Sequence, residues 1–150
     1  MSVIRICTRG CGAGSALSCD ARREGNKAFK DGNVDLAIRL YSEGIEADPN
    51  NFALFSNRSM ALARQERWHA AAADGIRCVD LNPGFMKGFH RAGHALQRLG
   101  RYGEAVKILE RGLAAHPGNA DLRELLEQAR SMFERHDAQR RSRALSFLLG

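Results

Sequence analysis

Residues 24–50, EGNKAFKDGNVDLAIRLYSEGIEADPN, share an order of residue types with residues 93–119, GHALQRLGRYGEAVKILERGLAAHPGN. Both stretches belong to one pattern with a period of 34 residues, which is set by Pro49, Pro83 and Pro117. Alanines and small residues recur with the same spacing, at Ala37, Ala71 and Ala105 and at Gly25, Ser59 and Gly93. A fixed period of this kind indicates similar units that stack on one another.

Each unit has the pattern of two helices joined by a turn. Apolar residues recur at spacings of three and four, which predicts amphipathic helices of about 12–14 residues. Polar or glycine-containing triplets interrupt each unit midway, at residues 31–33, 65–67 and 99–101. Each unit ends at a proline, which cannot continue a helix. Small residues allow two helices to approach closely, and large residues fill the space beside the crossing.

The 34-residue pattern resembles the tetratricopeptide repeat family. The resemblance implies an all-α fold, a right-handed superhelical solenoid of three helix–turn–helix repeats at residues 18–51, 52–85 and 86–119. The sequence departs from the family pattern at Gly75, where a bulky residue is usual.

A last repeat in such a stack needs a cap. Residues 120–135 supply an apolar stripe that predicts a capping helix, made of Leu122, Leu125, Leu126, Ala129, Met132 and Phe133. An independent interaction helix is the alternative. Residues 136–150 form a basic tail with Arg140, Arg141 and Arg143, which either prolongs this helix or frays. A membrane-surface or partner-binding role of the tail is a further alternative.

The composition and the N-terminal sequence limit the location. The net charge of +6 favours acidic partners, yet no nucleic-acid motif is present. Residues 1–17 are predicted to be a disordered leader, with an organelle transit peptide as the alternative. Cys7, Cys11 and Cys19 match no usual zinc spacing, and Cys78 takes a packing position. We therefore expect reduced thiols and a cytoplasmic protein, without integral membrane association.

Polar and basic residues occupy equivalent places on the first helix of each repeat, which lines the concave face of such a stack. Lys87 and Arg91 lie four residues apart on one helical face, and their like charges repel each other mildly. This basic strip is not needed for stacking, so a functional anion is expected there. The amides of Asn26 and Asn57 add directed donors, and a carboxylate accepts several such hydrogen bonds.

This arrangement is similar to the two-carboxylate clamp of tetratricopeptide co-chaperones, such as the heat-shock organising protein. The resemblance implies an adaptor that binds the Glu-Glu-Val-Asp tail of large cytosolic heat-shock chaperones. Arg22, Asn26 and Asn57 would hold the terminal carboxylate. Lys87 would take the side-chain carboxylate of the last Asp, and Arg91 the peptide backbone or that same carboxylate. Apolar contacts to the Val would come from Phe29, Met60 and Ala63.

Other functions remain open in the sequence. The chain could be a scaffold for a different partner, or the targeting module of a larger enzyme. His90 and His94 share a helical face, but no third metal ligand is evident, so neither a metal nor another cofactor is expected. They could instead add positive charge to the groove below about pH 6.5. No nucleophile motif or phosphate-binding loop is present, so we expect a non-catalytic protein. We also expect the chain to be monomeric.

Overall fold

A computed structural model describes residues 16–149, and this part of the chain forms helices joined by short turns, without strands. Its helices are α1 (Ala16–Lys30), α2 (Val34–Ala47), α3 (Phe52–Arg64), α4 (Trp68–Leu81), α5 (Met86–Arg98), α6 (Tyr102–Ala115) and α7 (Ala120–Leu149). The predicted all-α architecture is confirmed. Three helix pairs follow one another, and α7 comes after the last pair.

Contacts between helices follow the order of the chain. Each helix packs mainly on the helices before and after it, which is the arrangement of a solenoid. The first helices of the three pairs also contact one another in sequence, α1 with α3 and α3 with α5. They therefore lie side by side, and equivalent positions on them form rows across one surface.

The turn inside each pair contains one residue with a left-handed backbone. Gly32 and Gly100 have φ of 83° and 73°, and Glu66 takes the same place in the second pair with φ of 56°. Glycine adopts this conformation without steric cost, whereas a residue with a Cβ does so at a cost of roughly 1 kcal/mol. The second repeat therefore carries local strain that the other two avoid.

Small and large residues face each other inside the pairs, as the sequence pattern predicts. A Cβ added at Gly25 would lie 2.5 Å from Tyr41 Cε1, and one added at Gly93 would lie 2.5 Å from Leu109 Cδ2. In the second pair Ser59 replaces the glycine, and its hydroxyl donates to the carbonyl of Ala71 at 2.7 Å. Each large residue thus fills the space that its glycine leaves open.

Helix α7 covers the open side of the last pair. Leu122, Leu125, Leu126 and Ala129 are buried, and α7 contacts both α5 and α6. Gln97 of α5 donates a hydrogen bond to the carbonyl of Leu125 at 2.8 Å. Met132 and Phe133 of the predicted stripe are covered only in part, since they remain 44% and 46% exposed, although Phe133 still lies beside Gly103 of α6. Helix α7 continues without a break through residues 136–149.

Two observations concern the N-terminal region. Residues 1–15 of the predicted leader lie outside the described residues, and its last two residues, Ala16 and Leu17, begin α1. The expectation of reduced thiols is wrong at Cys19, which takes part in a disulfide bond.

Within residues 16–149, no helix combines the length and the apolar character needed to cross a bilayer.

Candidate functional site

The candidate site lies on the surface formed by α1, α3 and α5. Asn26 of α1 and Asn57 of α3 are in direct contact, because Asn57 Nδ2 donates to Asn26 Oδ1 at 2.9 Å. Tyr41 Oη donates to the same oxygen at 2.8 Å. These two donors occupy the Asn26 carbonyl oxygen, so its amide nitrogen is turned away from them. The structure thus joins two of the predicted site residues.

Arg91 of α5 enters the same surface from the other side. Its guanidinium donates to the hydroxyl of Ser56, and its Nη2 lies 3.4 Å from the sulfur of Met60. The side chain is half-buried, and among the described residues it forms no ion pair with a carboxylate. Burial lowers the pKa of Arg91, against smaller opposing effects of Cys78 and Tyr41. The guanidinium is therefore partly stripped of water, and no carboxylate of the described residues lies within ion-pair distance of it.

Lys87 lies one helical turn before Arg91 and is exposed. Together with Met86, His90, Arg91 and Asp121 it lines a shallow pocket of about 210 Å³. Asp121 belongs to the first turn of α7 and is the acidic member of this lining. The pocket is large enough for a small anionic group, which would meet two permanent positive charges on one side.

The remaining predicted residues flank this centre. Arg22 lies on α1, one turn before Asn26, and is partly buried. Phe29 and Ala63 are also partly buried, at the far ends of α1 and α3. The ring of Phe29 carries the guanidinium of Arg64, whose Cζ is 5.0 Å from the ring centroid. Phe29 therefore has a cationic neighbour that the sequence pattern does not reveal.

A buried polar layer lies behind the site. Arg58 binds the Asp74 carboxylate with two hydrogen bonds of 2.7 and 2.8 Å, and Arg58 also donates to Ser42 at 3.0 Å. This pairing leaves Asp74 satisfied, so it does not neutralise Arg91. Cys78 is fully buried in the same region, and burial is the main cause that raises its pKa to about 11. Its thiol is therefore protonated and is a neutral neighbour of Arg91 at physiological pH.

The two histidines of α5 differ in their surroundings. His94 packs edge-on against Trp68, with ring centroids 5.6 Å apart. Partial burial lowers the pKa of His94, and the charges of His90 and Arg98 lower it further. In the described part of the chain, no three His, Cys, Asp or Glu side chains gather closely enough to hold a metal ion.

Sequence reasoning missed two residues of the site, Tyr41 and Ser56. Tyr41 belongs to α2, and its hydroxyl reaches the site through the gap beside Gly25. Ser56 sits directly before Asn57 on the groove-facing side of α3, where a serine carries little signal of its own. Its position within the repeat, equivalent to that of Arg22, was the available clue.

Comparison with known proteins agrees with the helical repeat fold. Family models described as tetratricopeptide repeat match residues 22–84 and 86–130. A solved structure described as the first TPR of Spaghetti (RPAP3) bound to the HSP90 peptide SRMEEVD is 33% identical. It superposes with a TM-score of 0.76, over 83% of this chain and 99% of that one. The chain belongs to the tetratricopeptide repeat family.

Curated relatives of this tetratricopeptide repeat protein are longer. The wheat (Triticum aestivum) Hsp70-Hsp90 organizing protein is 39% identical over 114 residues, which is 76% of this chain and 20% of the relative. Mouse (Mus musculus) tetratricopeptide repeat protein 28 is 41% identical over 100 residues, which is 67% of this chain and 4% of the relative. The chain thus spans a fifth or less of the length of these relatives.

Proposed function

We propose that this tetratricopeptide repeat chain is a non-catalytic co-chaperone adaptor. Its groove would capture the acidic C-terminal tail of large heat-shock chaperones, of the Glu-Glu-Val-Asp type. The terminal carboxylate would be held by Arg22, Asn26 and Asn57, and the side-chain carboxylate of the last Asp by Lys87 and Arg91. Phe29, Met60 and Ala63 would give apolar contacts to the Val.

The observation that carries the proposal is the environment of Arg91. A charged group that loses water needs a partner of opposite charge or it destabilises the fold. Arg91 is half-buried among a hydroxyl, a thioether and a phenol, and none of these can neutralise it. A carboxylate bound in the pocket beside it would supply the missing charge and accept charge-assisted hydrogen bonds.

The comparisons support the same ligand class. The peptide in the 33%-identical structure, SRMEEVD, ends in Glu-Glu-Val-Asp, and the wheat relative is named for two heat-shock chaperones. A C-terminal Asp carries two carboxylates within a few ångströms of each other. Asn57, Arg91 and Lys87 together offer hydrogen-bond donors to both carboxylates. A ligand with a diffusely acidic surface would not need donors at such fixed positions.

Calorimetry with two peptides tests the proposal. A peptide ending in Glu-Glu-Val-Asp should bind, and its C-terminally amidated twin should bind at least tenfold more weakly, a loss of about 1.4 kcal/mol or more. Arg91→Gln should weaken binding of the free-acid peptide by a similar or larger factor, because it removes one partner of a partly desolvated charge pair.

Arg77→Gln, at an exposed arginine of α4, is the matched control and should leave binding unchanged. Equal affinity for the acid and the amide would refute the carboxylate clamp. Binding that survives Asn57→Ala with Arg91→Ala, yet disappears when residues 136–150 are deleted, would favour a scaffold for another partner.

The chaperone tails at issue are cytosolic, so we propose that the chain acts in the cytoplasm. We further propose that it binds these tails as a monomer.

A further inference from the structure

The orientation of one side-chain amide affects which ligand end the groove receives. We call the five polar and basic residues of the proposed site the candidate clamp: Arg22, Asn26, Asn57, Lys87 and Arg91. An asparagine side chain offers N–H donors on one side and a carbonyl acceptor on the other. The nitrogen side attracts a carboxylate, whereas the oxygen side repels it and accepts from an N–H donor. Asn26 is exposed on α1, so its orientation matters to a ligand.

The contact with Asn57 does not by itself fix the orientation of Asn26. In the structure Asn57 Nδ2 donates to Asn26 Oδ1 at 2.9 Å. If both amides turned over together, Asn26 Nδ2 would donate to Asn57 Oδ1, and the hydrogen bond between them would be kept. The two amides alone therefore have two arrangements of similar energy. The second arrangement presents the Asn26 oxygen to the ligand.

The hydroxyl of Tyr41 removes this ambiguity. It donates to Asn26 Oδ1 at 2.8 Å, and Tyr41 is 0% exposed, so its hydroxyl hydrogen has no access to water. In the second arrangement the hydroxyl would meet an N–H group instead of an acceptor, which leaves a buried donor unsatisfied. Burial also raises the pKa of Tyr41, against a smaller opposing effect of Arg91, so the phenol keeps its proton at neutral pH.

The packing beside Gly25 holds the Tyr41 hydroxyl at this point. A Cβ added at Gly25 would lie 2.5 Å from Tyr41 Cε1 and 3.1 Å from its Cζ, so the ring passes close to the backbone of α1. The ring belongs to a core cluster that includes Ala28 and Leu54. A ring enclosed in this way has little freedom to move. Its hydroxyl is therefore a fixed donor behind Asn26.

Resting on the proposed function, we infer that Tyr41 is a positioning residue that makes the groove selective for a free C-terminal acid over a C-terminal amide. It acts through Asn26, whose nitrogen side it turns towards the ligand. Lys87 and Arg91 attract anions by their charge. The hydrogen bond from Tyr41 adds a second criterion, because it sets whether a neutral amide of the candidate clamp donates to the end of the ligand or accepts from it.

Tyr41→Phe tests this role, because it removes the hydroxyl and keeps the ring that fills the space beside Gly25. Calorimetry on the full chain compares a peptide ending in Glu-Glu-Val-Asp with its C-terminal amide. In the variant, the free acid should bind about fivefold more weakly, as expected for the loss of one hydrogen bond, while the amide should bind as before or better. Tyr102→Phe, at the other tyrosine of the chain, is the matched control and should leave both affinities unchanged.

A double-mutant cycle separates positioning from a general loss of structure. If Tyr41 acts through Asn26, Tyr41→Phe should change the affinity for the free acid by less than about twofold in the Asn26→Ala background. A fivefold loss in that background as well would overturn the inference, because the hydroxyl would then act without Asn26.

NMR of the unliganded protein gives a readout that needs no peptide. Nuclear Overhauser contacts between the Asn26 NH₂ hydrogens and the ring at position 41 should be weak in the unsubstituted protein and stronger in Tyr41→Phe. Strong contacts in the unsubstituted protein would overturn the inference even if the variant did not fold.

The outcomes separate this inference from the proposed function. Equal affinity of the unsubstituted protein for the acid and the amide overturns both the clamp and the role of Tyr41. A preference for the acid that Tyr41→Phe retains by the same factor overturns the inference and leaves the clamp intact. Circular dichroism establishes that each variant remains folded during these measurements.

Discussion

At the scale of the residue, Gly75 explains how the second repeat departs from its neighbours. Its equivalents in the other repeats are Tyr41 and Leu109, which fill the space beside Gly25 and Gly93. At Gly75 the contact is with the next helix instead, because an added Cβ would lie 2.8 Å from the backbone nitrogen of Ala92. Helices α4 and α5 therefore meet backbone to backbone at this point.

We predict that Gly75→Ala destabilises the fold. In an open helix, alanine would be favoured over glycine by up to about 1 kcal/mol. Here the obstacle is backbone that cannot rotate away, so overpacking should cost about 1–3 kcal/mol and outweigh that gain. Chemical denaturation measures the change.

Gly103→Ala is the matched control in α6. There the nearest atom to the added Cβ is 3.3 Å away, on the partly exposed ring of Phe133, which can move. Its free energy of unfolding should change by less than about 1 kcal/mol. Equal effects of the two substitutions would contradict the close approach of α4 and α5.

At the scale of the element, α7 is a single helix with two environments. Its first turns are buried on α5 and α6, and the packing ends near His136, whose ring lies 5.8 Å from that of Tyr102. Beyond this contact the helix is exposed, and Phe147 and Leu148 are 89% and 78% exposed. The stabilising part of α7 is therefore its N-terminal half.

We predict that Leu126→Ala lowers the free energy of unfolding by about 2–4 kcal/mol, because it removes a side chain that is almost fully enclosed. Leu148→Ala, in the exposed half of the same helix, should change it by less than about 0.5 kcal/mol. Urea denaturation followed by circular dichroism compares the two. A similar loss at both sites would show that the C-terminal half of α7 packs against the protein.

At the scale of the whole molecule, the net charge of +6 and the groove act together. Basic side chains line one surface of the stack, at the candidate clamp and at Lys30, Arg64 and Arg98 near the ends of α1, α3 and α5. Such a field attracts an acidic peptide before contact and raises the association rate. Salt screens exposed charges over a Debye length of about 10 Å at 0.1 M.

We predict that salt weakens the binding of a Glu-Glu-Val-Asp peptide chiefly because it lowers the association rate. Between about 0.05 and 0.5 M NaCl, the association rate should fall by about tenfold while the dissociation rate changes less. Stopped-flow fluorescence with a labelled peptide measures both rates. A peptide in which both Glu are replaced by Gln should show a smaller effect of salt on the association rate. If the effect of salt on affinity came entirely from the dissociation rate, long-range attraction would be contradicted.

Much of the fold could be predicted because its signals are local and repeated. The prolines, the mid-unit turns and the small residues each act within one unit, and three copies make the period visible. The extent of α7 could not be predicted in this way. Met132 and Phe133 continue the apolar spacing, yet both remain partly exposed, and the position of α6 rather than the spacing decides how far they are covered.

The candidate site also has residues that the sequence predicts and residues that only the structure reveals. Sequence register alone assigns Arg22, Asn26, Asn57, Lys87 and Arg91 to the first helices of the three repeats, and residues four apart, such as Lys87 and Arg91, share a helical face. Tyr41 and Ser56 join them only through contacts across helices, at separations of 15 and 35 residues along the chain. The stacking of Arg98 on Trp68 depends in addition on how one repeat packs on the next.

The sequence by itself therefore determined the repeat, the helices and the row of polar residues, because each follows from periodicity within a single unit. The tertiary structure decided which of these residues touch and which charges lack a counter-charge. Those properties depend on burial and on distances between repeats, and periodicity carries no information about either. The uncompensated guanidinium of Arg91 is the clearest case, since only packing against α3 makes it half-buried.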